Sequence, residues 1–471
     1  MKLFNLLFNL NEQKAFKFLI VWVIILSILY SLLAILRHDH FQSGAFDLGI
    51  YDQAVWQYSH FEFPYNTIKE RFILGDHLTL TLPLLAPLFY IWDDVRTLLI
   101  FQAVFITLST IAVYKIALLR RLSPFVSLII GIVYPLFYGI QTAASFDFHP
   151  IVIAVGILVW TAYLFEAKKW KAFWISLILL LSTQENTGVS LAGLGFIYLF
   201  YKQYRKEAGA FIFGGLLVSL IQTKIIGLMS PIGYQYTPQF PNTLSAFITG
   251  FFDSPEKIEN WKYMLIPTGF LPLLSLGAIL AVLMDLSQYY LTGFSRMWTP
   301  FQHHRAMLAP FIALGLIEAL IFLKNKKINI HYVAILVLVS TLVSQYIFHF
   351  PINKLSKGEY SRSEQWMIDN NNLFEYIPGD ASVASAQNLV PHLSHRNEIY
   401  LAWPRLRGEE WWLEFSGKPE YLVVDLHPGQ WLTQLLESNE NFKNAVKNMG
   451  DAKKIKLVRK IGEARIYKII Y

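Results

Sequence analysis

Apolar runs of about 20 residues recur along most of this chain, and they constrain its fold more than any other feature. A helix of this length matches the thickness of the hydrocarbon layer of a bilayer. Inside lipid every backbone N–H and C=O group must be bonded within the protein, so we interpret each run as a transmembrane helix. The sequence therefore predicts an α-helical, multi-pass protein of the plasma membrane.

The composition agrees with this interpretation and excludes several functions. Of 471 residues, 54% are hydrophobic and 15% are charged, whereas about 25% are charged in soluble proteins. The chain contains no cysteine, which excludes disulfides, thiolate zinc sites and cysteine nucleophiles. The net charge of +7 comes from basic residues beside the apolar runs, so we expect the lipid bilayer and no nucleic acid as a partner.

We predict about eleven spans. The first, Phe18–Leu36, is too long for the apolar region of a signal peptide and has no cleavage motif after it, so we expect it to be retained. Leu78–Trp92 is shorter and contains two prolines, which favours a re-entrant or interfacial element. The predicted spans are 18–36, 95–118, 124–142, 150–166, 171–183, 187–201, 208–226, 262–276, 277–292, 304–323 and 331–350.

Lys and Arg residues beside the span ends predict the orientation. One topology places all five basic clusters in the cytoplasm, with the N-terminus inside and the C-terminus outside. The clusters are Lys2, Lys14 and Lys17; Lys115, Arg120 and Arg121; Lys168, Lys169 and Lys171; Lys202, Arg205 and Lys206; and Lys324, Lys326 and Lys327.

The opposite span ends carry acids and histidines. RHDH, FDLGIYDQ and GDH lie in the first outer loop (37–94), and SFDFHP lies in the second outer turn. QEN (184–186) is the tip of a short helical hairpin, and QHHR (302–305) begins the tenth span. Ionisable groups at membrane depth are costly and usually functional. Their convergence on one face predicts an active site or a permeation vestibule.

The composition changes after residue 351. Residues 352–471 are more charged and alternate β-like runs, such as YLVVDLH, with helical ones such as Gln430–Asn448. The segment KIKLVRKIGEARIYKII predicts a hairpin that turns at Gly462. We therefore divide the chain into a transmembrane domain (1–351), whose first outer loop contains a juxtamembrane helix, and a small extracytoplasmic α/β domain (352–471).

These motifs occur in an order that resembles a known family. FDLGIYDQAVW, GDHLTLTLPLLAPLFYIW, FDFHP, QEN and ASAQNLVPHLSHRNEIYLAWP are similar to segments of a family of predicted prokaryotic membrane proteins, described as a domain of unknown function. That family resembles the GT-C superfamily of integral-membrane glycosyltransferases, which includes aminoarabinose and protein mannosyltransferases. The resemblance implies a sugar donor carried on a polyprenyl phosphate and a critical acid in the first outer loop.

By this resemblance Asp47 takes the place of the critical loop acid, with Tyr51 four residues later as a substrate-binding residue. Leu48 stands where the superfamily often has a second acid. The residues alone leave two interpretations of Asp47, a helix N-cap or a catalytic base that takes the proton of an acceptor. Asp52, a second catalytic candidate, points about 140° away on a helix, so we expect one acid to face a cleft and the other to brace the loop.

A departing phosphate needs positive charge or a metal ion. Glu185, at the hairpin tip, is the third catalytic candidate.

Oxygen and imidazole ligands among these residues suit Mg²⁺ or Mn²⁺ as a cofactor, although no tight ligand spacing supports a metal site. The alternative to a metal site is a buried network of polar groups that bond to each other. The metal-ligand candidates are Asp76, His77, Asp147 and His149; the substrate-binding candidates are Arg71, His77, Asp147, His149, His303, His304 and Arg305. For His303–Arg305 the alternative is a cluster that anchors the chain at the membrane interface.

The leading hypothesis is transfer of a sugar from a polyprenyl-phosphate donor to a glycan, lipid or protein acceptor at the extracytoplasmic face. A lipid-linked-sugar flippase or transporter is one alternative, but charges on one face only and no visible repeat count against it. A non-catalytic membrane assembly subunit is the other alternative.

Three residues of the outer domain are further candidates. His392, His395 and Arg396 are placed where a lid would reach the site, and an exposed structural role is the alternative.

Overall fold

The computed structural model of the chain describes residues 10–292 and 294–471, so Lys2 of the first basic cluster lies outside the described residues. The fold is mostly helical. Its helices are α1 (Glu12–Asp39), α2 (Ile50–Ser59), α3 (Ala86–Phe89), α4 (Arg96–Leu119), α5 (Pro124–Val133), α6 (Tyr138–Ala144), α7 (Pro150–Glu166), α8 (Trp170–Leu181), α9 (Thr187–Tyr198), α10 (Arg205–Met229), α11 (Leu244–Thr249), α12 (Pro255–Leu265), α13 (Leu276–Tyr290), α14 (Leu308–Asn325), α15 (Ile330–Ile347), α16 (Asn353–Ser356), α17 (Gln365–Phe374), α18 (Trp431–Gln434) and α19 (Asn439–Asp451).

Five helical segments of the described chain are long and apolar enough to cross a membrane: α1, α4, α10, α14 and α15. A sixth span results if α5 and α6, which meet at an angle of 50°, are one broken span. Helices α7, α8, α9 and α13 are apolar but have only 10–17 residues. A helix of 12 residues is about 18 Å long and falls short of the hydrocarbon layer. The chain is thus a membrane protein, with five or six spans by length against the eleven expected.

The predicted span 262–276 is wrong. Helix α12 begins earlier, at Pro255, and ends at Leu265. The chain then turns through Gly269 and Phe270, which both have positive φ, and forms a 3₁₀ turn from Leu271 to Leu274. Proline lacks the N–H group that continues a helix, and two prolines interrupt this stretch.

Helices α8 and α9 form the expected short hairpin, and α10 packs closely against it. A Cβ atom on Gly188 would lie 2.2 Å from the carbonyl oxygen of Gly215, so glycine is required at this contact. The Ser219 hydroxyl, on α10, donates to the Glu185 carbonyl at 2.6 Å. Helix α10 therefore fixes the turn that carries Glu185.

Basic residues gather where α4, α7 and α14 approach each other. The buried Arg120 guanidinium lies 2.7 Å from Glu166 and 3.4 Å from Glu318. The Lys324 ammonium donates to the Arg121 carbonyl at 2.9 Å. The structure thus brings the second and fifth basic clusters to one end of the helical domain.

The C-terminal region contains a five-stranded sheet in the order β4-β3-β7-β9-β8, in which β3 runs parallel to β4 and β7 and the other pairs are antiparallel. Gly462, with φ of 57°, makes the predicted turn between β8 and β9. The stretch 430–448 holds two helices, because Ser438 caps the start of α19. The strands are β1 (Tyr65–Asn66), β2 (Arg71–Phe72), β3 (Val383–Ser385), β4 (Ile399–Leu401), β5 (Trp403–Arg407), β6 (Glu410–Glu414), β7 (Tyr421–Asp425), β8 (Ile455–Ile461) and β9 (Ala464–Ile469).

Candidate active site

A cavity of about 660 Å³ lies between the first outer loop, the start of α7, the α8–α9 turn and the segment that precedes α14. One part of its wall is polar and the other is formed by large apolar side chains. We call it the central cavity. It brings together eight residues that the sequence singles out: Asp47, Tyr51, Asp76, His77, His149, Glu185, His303 and His304.

Asp47 is not a helix N-cap, contrary to one of the two interpretations of the sequence. It lies within a π-helical turn, Ala45–Gly49, that continues directly into α2, and neither helix start has a side-chain cap. Its carboxylate is instead one-third exposed to the cavity, and Oδ1 lies 3.1 Å from Nε2 of His149. Asp47 therefore keeps an accessible carboxylate that has no structural hydrogen bond to its own helix.

His149 holds this carboxylate in place. Its Nδ1 lies 3.2 Å from the carbonyl oxygen of Asp147, which can only accept a hydrogen bond, so Nδ1 carries a proton. Its Nε2 lies 3.1 Å from Asp47 Oδ1, so the ring bridges the Asp147 carbonyl and the Asp47 carboxylate. The ring also stacks on His303 at 3.5 Å between centroids. The first turn of α7 fixes the backbone of His149, because the Val152 amide donates to the His149 carbonyl at 3.0 Å.

His77 and Glu185 form a second pair across the cavity. His77 Nδ1 lies 2.8 Å from Glu185 Oε1, and the same carboxylate accepts from the Leu78 amide at 3.3 Å and from the Tyr234 hydroxyl at 3.1 Å. Burial alone lowers the pKa of His77, but the carboxylate of Glu185 outweighs it and raises that pKa above its ordinary value. Among the described residues no hydrogen bond reaches Nε2, so His77 presents this nitrogen to the cavity, and its raised pKa favours the protonated ring.

Asp76 lies at the wall of the central cavity and is mostly buried. Its carboxylate lies 3.5 Å from the Lys69 ammonium and 3.8 Å from the Arg71 guanidinium. Lys69 lines the central cavity, whereas Arg71 does not and donates to Ser230 at 3.4 Å. The sequence assigned the substrate contact to Arg71, but the structure places Lys69 at that wall.

Asp52 does not reach the central cavity, so its assignment as a catalytic residue has no support in the geometry. The side chain is fully buried and accepts from the Ser394 hydroxyl at 2.5 Å and from His395 Nε2 at 3.0 Å. The other ring nitrogen of His395 lies 2.9 Å from Asp93. One acid thus faces the cavity and the other braces the loop, as the helical spacing predicted.

The three outer-domain candidates are not exposed, contrary to the alternative considered for them. His392 stacks on His38 at 4.1 Å and on Phe41 at 4.2 Å, and burial lowers the pKa of His392 to about 3. Arg396 is buried and donates to the Ala381 carbonyl at 2.7 Å. His392 and His395 thus join the outer domain to the first outer loop, whereas Arg396 bonds within the outer domain.

Two further candidates serve the scaffold. Asp147 is buried, pairs with Arg37 at 2.5 Å and accepts from the Gly44 amide at 2.8 Å. Arg305 is fully buried and donates to the backbone carbonyls of Met297 and Thr299. Neither lines the central cavity, and the burial of His304 and Arg305 also rules out an interfacial anchor at these residues.

The predicted metal ligands do not meet as one site. Within residues 10–292 and 294–471 no group of three or more His, Asp or Glu side chains is arranged to hold a metal ion. Asp76 faces Lys69, His77 faces Glu185, Asp147 faces Arg37 and His149 faces Asp47. Each candidate ligand already has a partner of its own.

Sequence reasoning missed two tyrosines of the loop after α10. Tyr234 donates to Glu185, and Tyr236 stacks on His77 at 4.7 Å with nearly parallel rings. The segment GYQYTPQF holds them in alternate positions of a polar loop beside a span. That pattern indicates a loop with function.

Comparisons with known proteins agree with this description. The family described as "Predicted membrane protein (DUF2079)" matches residues 37–449. No curated protein matches the chain. The crystal structure of ArnT from Cupriavidus metallidurans in the apo state has a similar fold, with a TM-score of 0.55, 10% sequence identity, and coverage of 96% of this chain and 98% of that chain. The structure of the same ArnT bound to undecaprenyl phosphate gives a TM-score of 0.57, with the same identity and coverage.

Proposed function

Because the chain belongs to the DUF2079 family of predicted membrane proteins, and its fold is similar to that of ArnT, we propose that it is a GT-C-type glycosyltransferase. In this proposal a sugar moves from a polyprenyl-phosphate donor to an acceptor at the extracytoplasmic face. The donor class is supported by the ArnT structure that contains undecaprenyl phosphate. The outer orientation is supported by the basic clusters at the opposite end of the helices.

The observation that carries the proposal is the Asp47–His149 pair at the wall of the central cavity. A hydroxyl or amine that attacks an anomeric carbon must lose a proton, and a positioned carboxylate takes it. The His149 ring lies within hydrogen-bond distance of the Asp47 carboxylate and aims it. Asp47 is thus the base and His149 is a positioning residue.

The central cavity has a polar wall that suits the phosphate of the donor and an apolar wall that suits its polyprenyl chain. The Nε2–H of His77 and the Lys69 ammonium provide positive charge for the phosphate that departs with the electron pair of the broken C–O bond. This phosphate needs no proton to leave. The polyprenyl chain has apolar partners in Leu216, Leu220, Phe240, Phe247 and Phe294.

Purified Asp47→Asn and Asp52→Asn proteins test the proposal. Asparagine removes the base but retains a hydrogen bond, so Asp47→Asn is expected to bind donor normally and to lose turnover by about 100- to 10,000-fold. Asp52→Asn is expected to lower the thermal stability, because a buried ion pair loses its charge, while the protein that remains folded keeps its turnover. Sugar transfer and donor binding are measured separately. Full turnover by Asp47→Asn contradicts the proposal.

A further inference from the structure

A second cavity of about 1250 Å³ lies between the first outer loop and the outer domain; we call it the outer groove. Strands β5 and β6 provide one wall. Their register pairs Trp403 with Glu414 and Arg405 with Trp412. Because side chains alternate along a strand, Trp403, Arg405, Trp412 and Glu414 share one face, and this face lines the groove.

The outer groove is basic. Its lining includes six cationic side chains but only two acidic ones, Glu70 and Glu414. Arg407 is paired with Glu414 at 2.8 Å, and Lys69 and Arg71 lie 3.5 and 3.8 Å from the buried Asp76. Among the described residues no ion pair holds the other three cations, Arg405, Lys453 and Lys454. The basic side chains come from three separate segments: Lys69, Arg71, Arg405, Arg407, Lys453 and Lys454. This excess of positive charge favours an anionic ligand.

Aromatic rings alternate with these charges. The Arg405 guanidinium lies 4.2 Å above the Trp403 ring, and the Lys454 ammonium lies 4.9 Å from the Trp412 ring. An indole ring offers an apolar face for the C–H face of a sugar ring, and a guanidinium beside it binds carboxylate or phosphate in a fixed geometry. The groove is also larger than the usual range for a small-molecule site, so it has room for more than one sugar ring.

The outer groove adjoins the central cavity. Phe46 and Lys69 line both, and Phe46 is the residue directly before Asp47. The Phe46 ring meets the edge of Trp403 at 6.4 Å, and the Lys69 ammonium lies 5.5 Å from the Phe46 ring. A ligand held along β5 therefore lies beside Phe46, the residue that precedes the base.

We propose that the outer groove binds an anionic saccharide, one that carries carboxylate or phosphate groups, as the acceptor of the transferred sugar. The acceptor role rests on the proposed glycosyltransferase function, whereas saccharide binding at the groove does not. The hydroxyl of a sugar ring seated beside Phe46 loses its proton to Asp47 and forms the new bond to the anomeric carbon of the donor. The bond from that carbon to the phosphate oxygen breaks, and the polyprenyl phosphate leaves with its electron pair.

Binding to the full-length protein without donor tests this proposal. The probes are an oligogalacturonide, a phosphorylated maltooligosaccharide, a neutral maltooligosaccharide and an oligoglutamate peptide of similar length. The variants are Arg405→Gln and Lys454→Gln. Arg459→Gln is the matched control, because Arg459 also lies 4.2 Å above an aromatic ring, that of Tyr376, but outside the groove.

At least one anionic saccharide is expected to bind, with the carboxylate and phosphate probes showing which acid group is preferred. Each groove variant should weaken that binding about ten-fold, while Arg459→Gln leaves it unchanged. Added salt should weaken it as well. The neutral saccharide and the peptide should bind more weakly.

Three results overturn the inference: no binding of either anionic saccharide, equal binding by the groove variants and wild type, or a peptide that binds as tightly as the saccharides. The last would indicate an acidic polypeptide instead. Asp47→Asn separates this inference from the proposed function, since it should bind the saccharide like wild type. Groove binding without any sugar transfer by wild type would count against the function and leave saccharide binding in place.

Discussion

At the scale of single residues, two carboxylates of the central cavity each face a histidine. Asp47 faces His149, and Glu185 faces His77. Glu185 has almost no exposed surface, and its carboxylate accepts three hydrogen bonds. We therefore assign it to the control of His77 and not to direct contact with the sugar.

Glu185→Gln tests that assignment. The variant removes the negative charge that raises the pKa of His77, so burial then dominates and the pKa falls. The charged form of His77 is present below its pKa, so in the variant His77 should lose its proton at a lower pH than in wild type. We expect donor binding to weaken about ten-fold near pH 7.5 and to recover towards pH 5.5. Donor affinity measured across this range checks the prediction, and a profile identical to wild type contradicts it.

At the scale of elements, contacts between small residues fix the helices that carry the site. Gly188 on α9 and Gly215 on α10 approach so closely that a Cβ on either would lie within 2.3 Å of the other's carbonyl oxygen. Close approach through small residues is a common device of membrane helices. Here it holds the α8–α9 turn, and with it Glu185, against α10.

The neighbouring glycines of α10 provide a matched test. Gly215→Ala forces the two helices apart and should lower stability by about 1–3 kcal/mol, as overpacking does. Gly214→Ala meets no atom within 4 Å and should be neutral or slightly stabilising, because alanine favours a helix. Thermal unfolding in detergent compares the two. Equal stability of both variants would show that α10 adapts to the added methyl group.

At the scale of the whole molecule, the outer domain is joined to the helical domain by buried polar contacts. His395 lies between Asp52 of α2 and Asp93. The Thr67 hydroxyl donates to the Ile399 carbonyl at 2.5 Å, and Gln53 donates to the Asn397 carbonyl at 2.9 Å. The position of the outer domain, and thus the shape of the outer groove, depends on these bonds.

Stability should therefore depend on pH through His395. Burial lowers its pKa, but Asp52 and Asp93 outweigh burial and raise the pKa above its ordinary value of about 6.5. A raised pKa in the folded state means that the contribution of His395 is complete below that ordinary value and is lost as pH rises through the folded pKa. The stability difference between wild type and His395→Gln should shrink from pH 6 to pH 9. A constant difference would exclude a charged His395.

The orientation of the chain in the membrane is also a property of the whole molecule. Reporter fusions after Lys326 and after Tyr471 test the predicted orientation. The basic clusters predict a cytoplasmic signal at Lys326 and an extracytoplasmic signal at Tyr471. A cytoplasmic signal from the Tyr471 fusion would contradict the placement of the site at the outer face.

The sequence alone determined the features that depend on local pattern. Apolar runs predicted the helices, the change of composition after residue 351 predicted the α/β region, and Gly462 predicted the last turn. The motifs also predicted a convergent cluster of acids and histidines, because charged groups at membrane depth cluster at a site when the fold allows it.

Tertiary structure alone decided which members of that cluster face the cavity. Asp47 and Asp52 lie five residues apart on adjoining helical turns. The outer domain packs on α2 and buries Asp52, which accepts a hydrogen bond from Ser394. Asp147 and Arg305 are residue types that suit a substrate-binding site. In the structure, however, Asp147 pairs with Arg37, and Arg305 donates to backbone carbonyls. Such pairings join segments more than 100 residues apart in the case of Asp147, and no local pattern encodes them, because a buried charge finds its partner only when the chain folds.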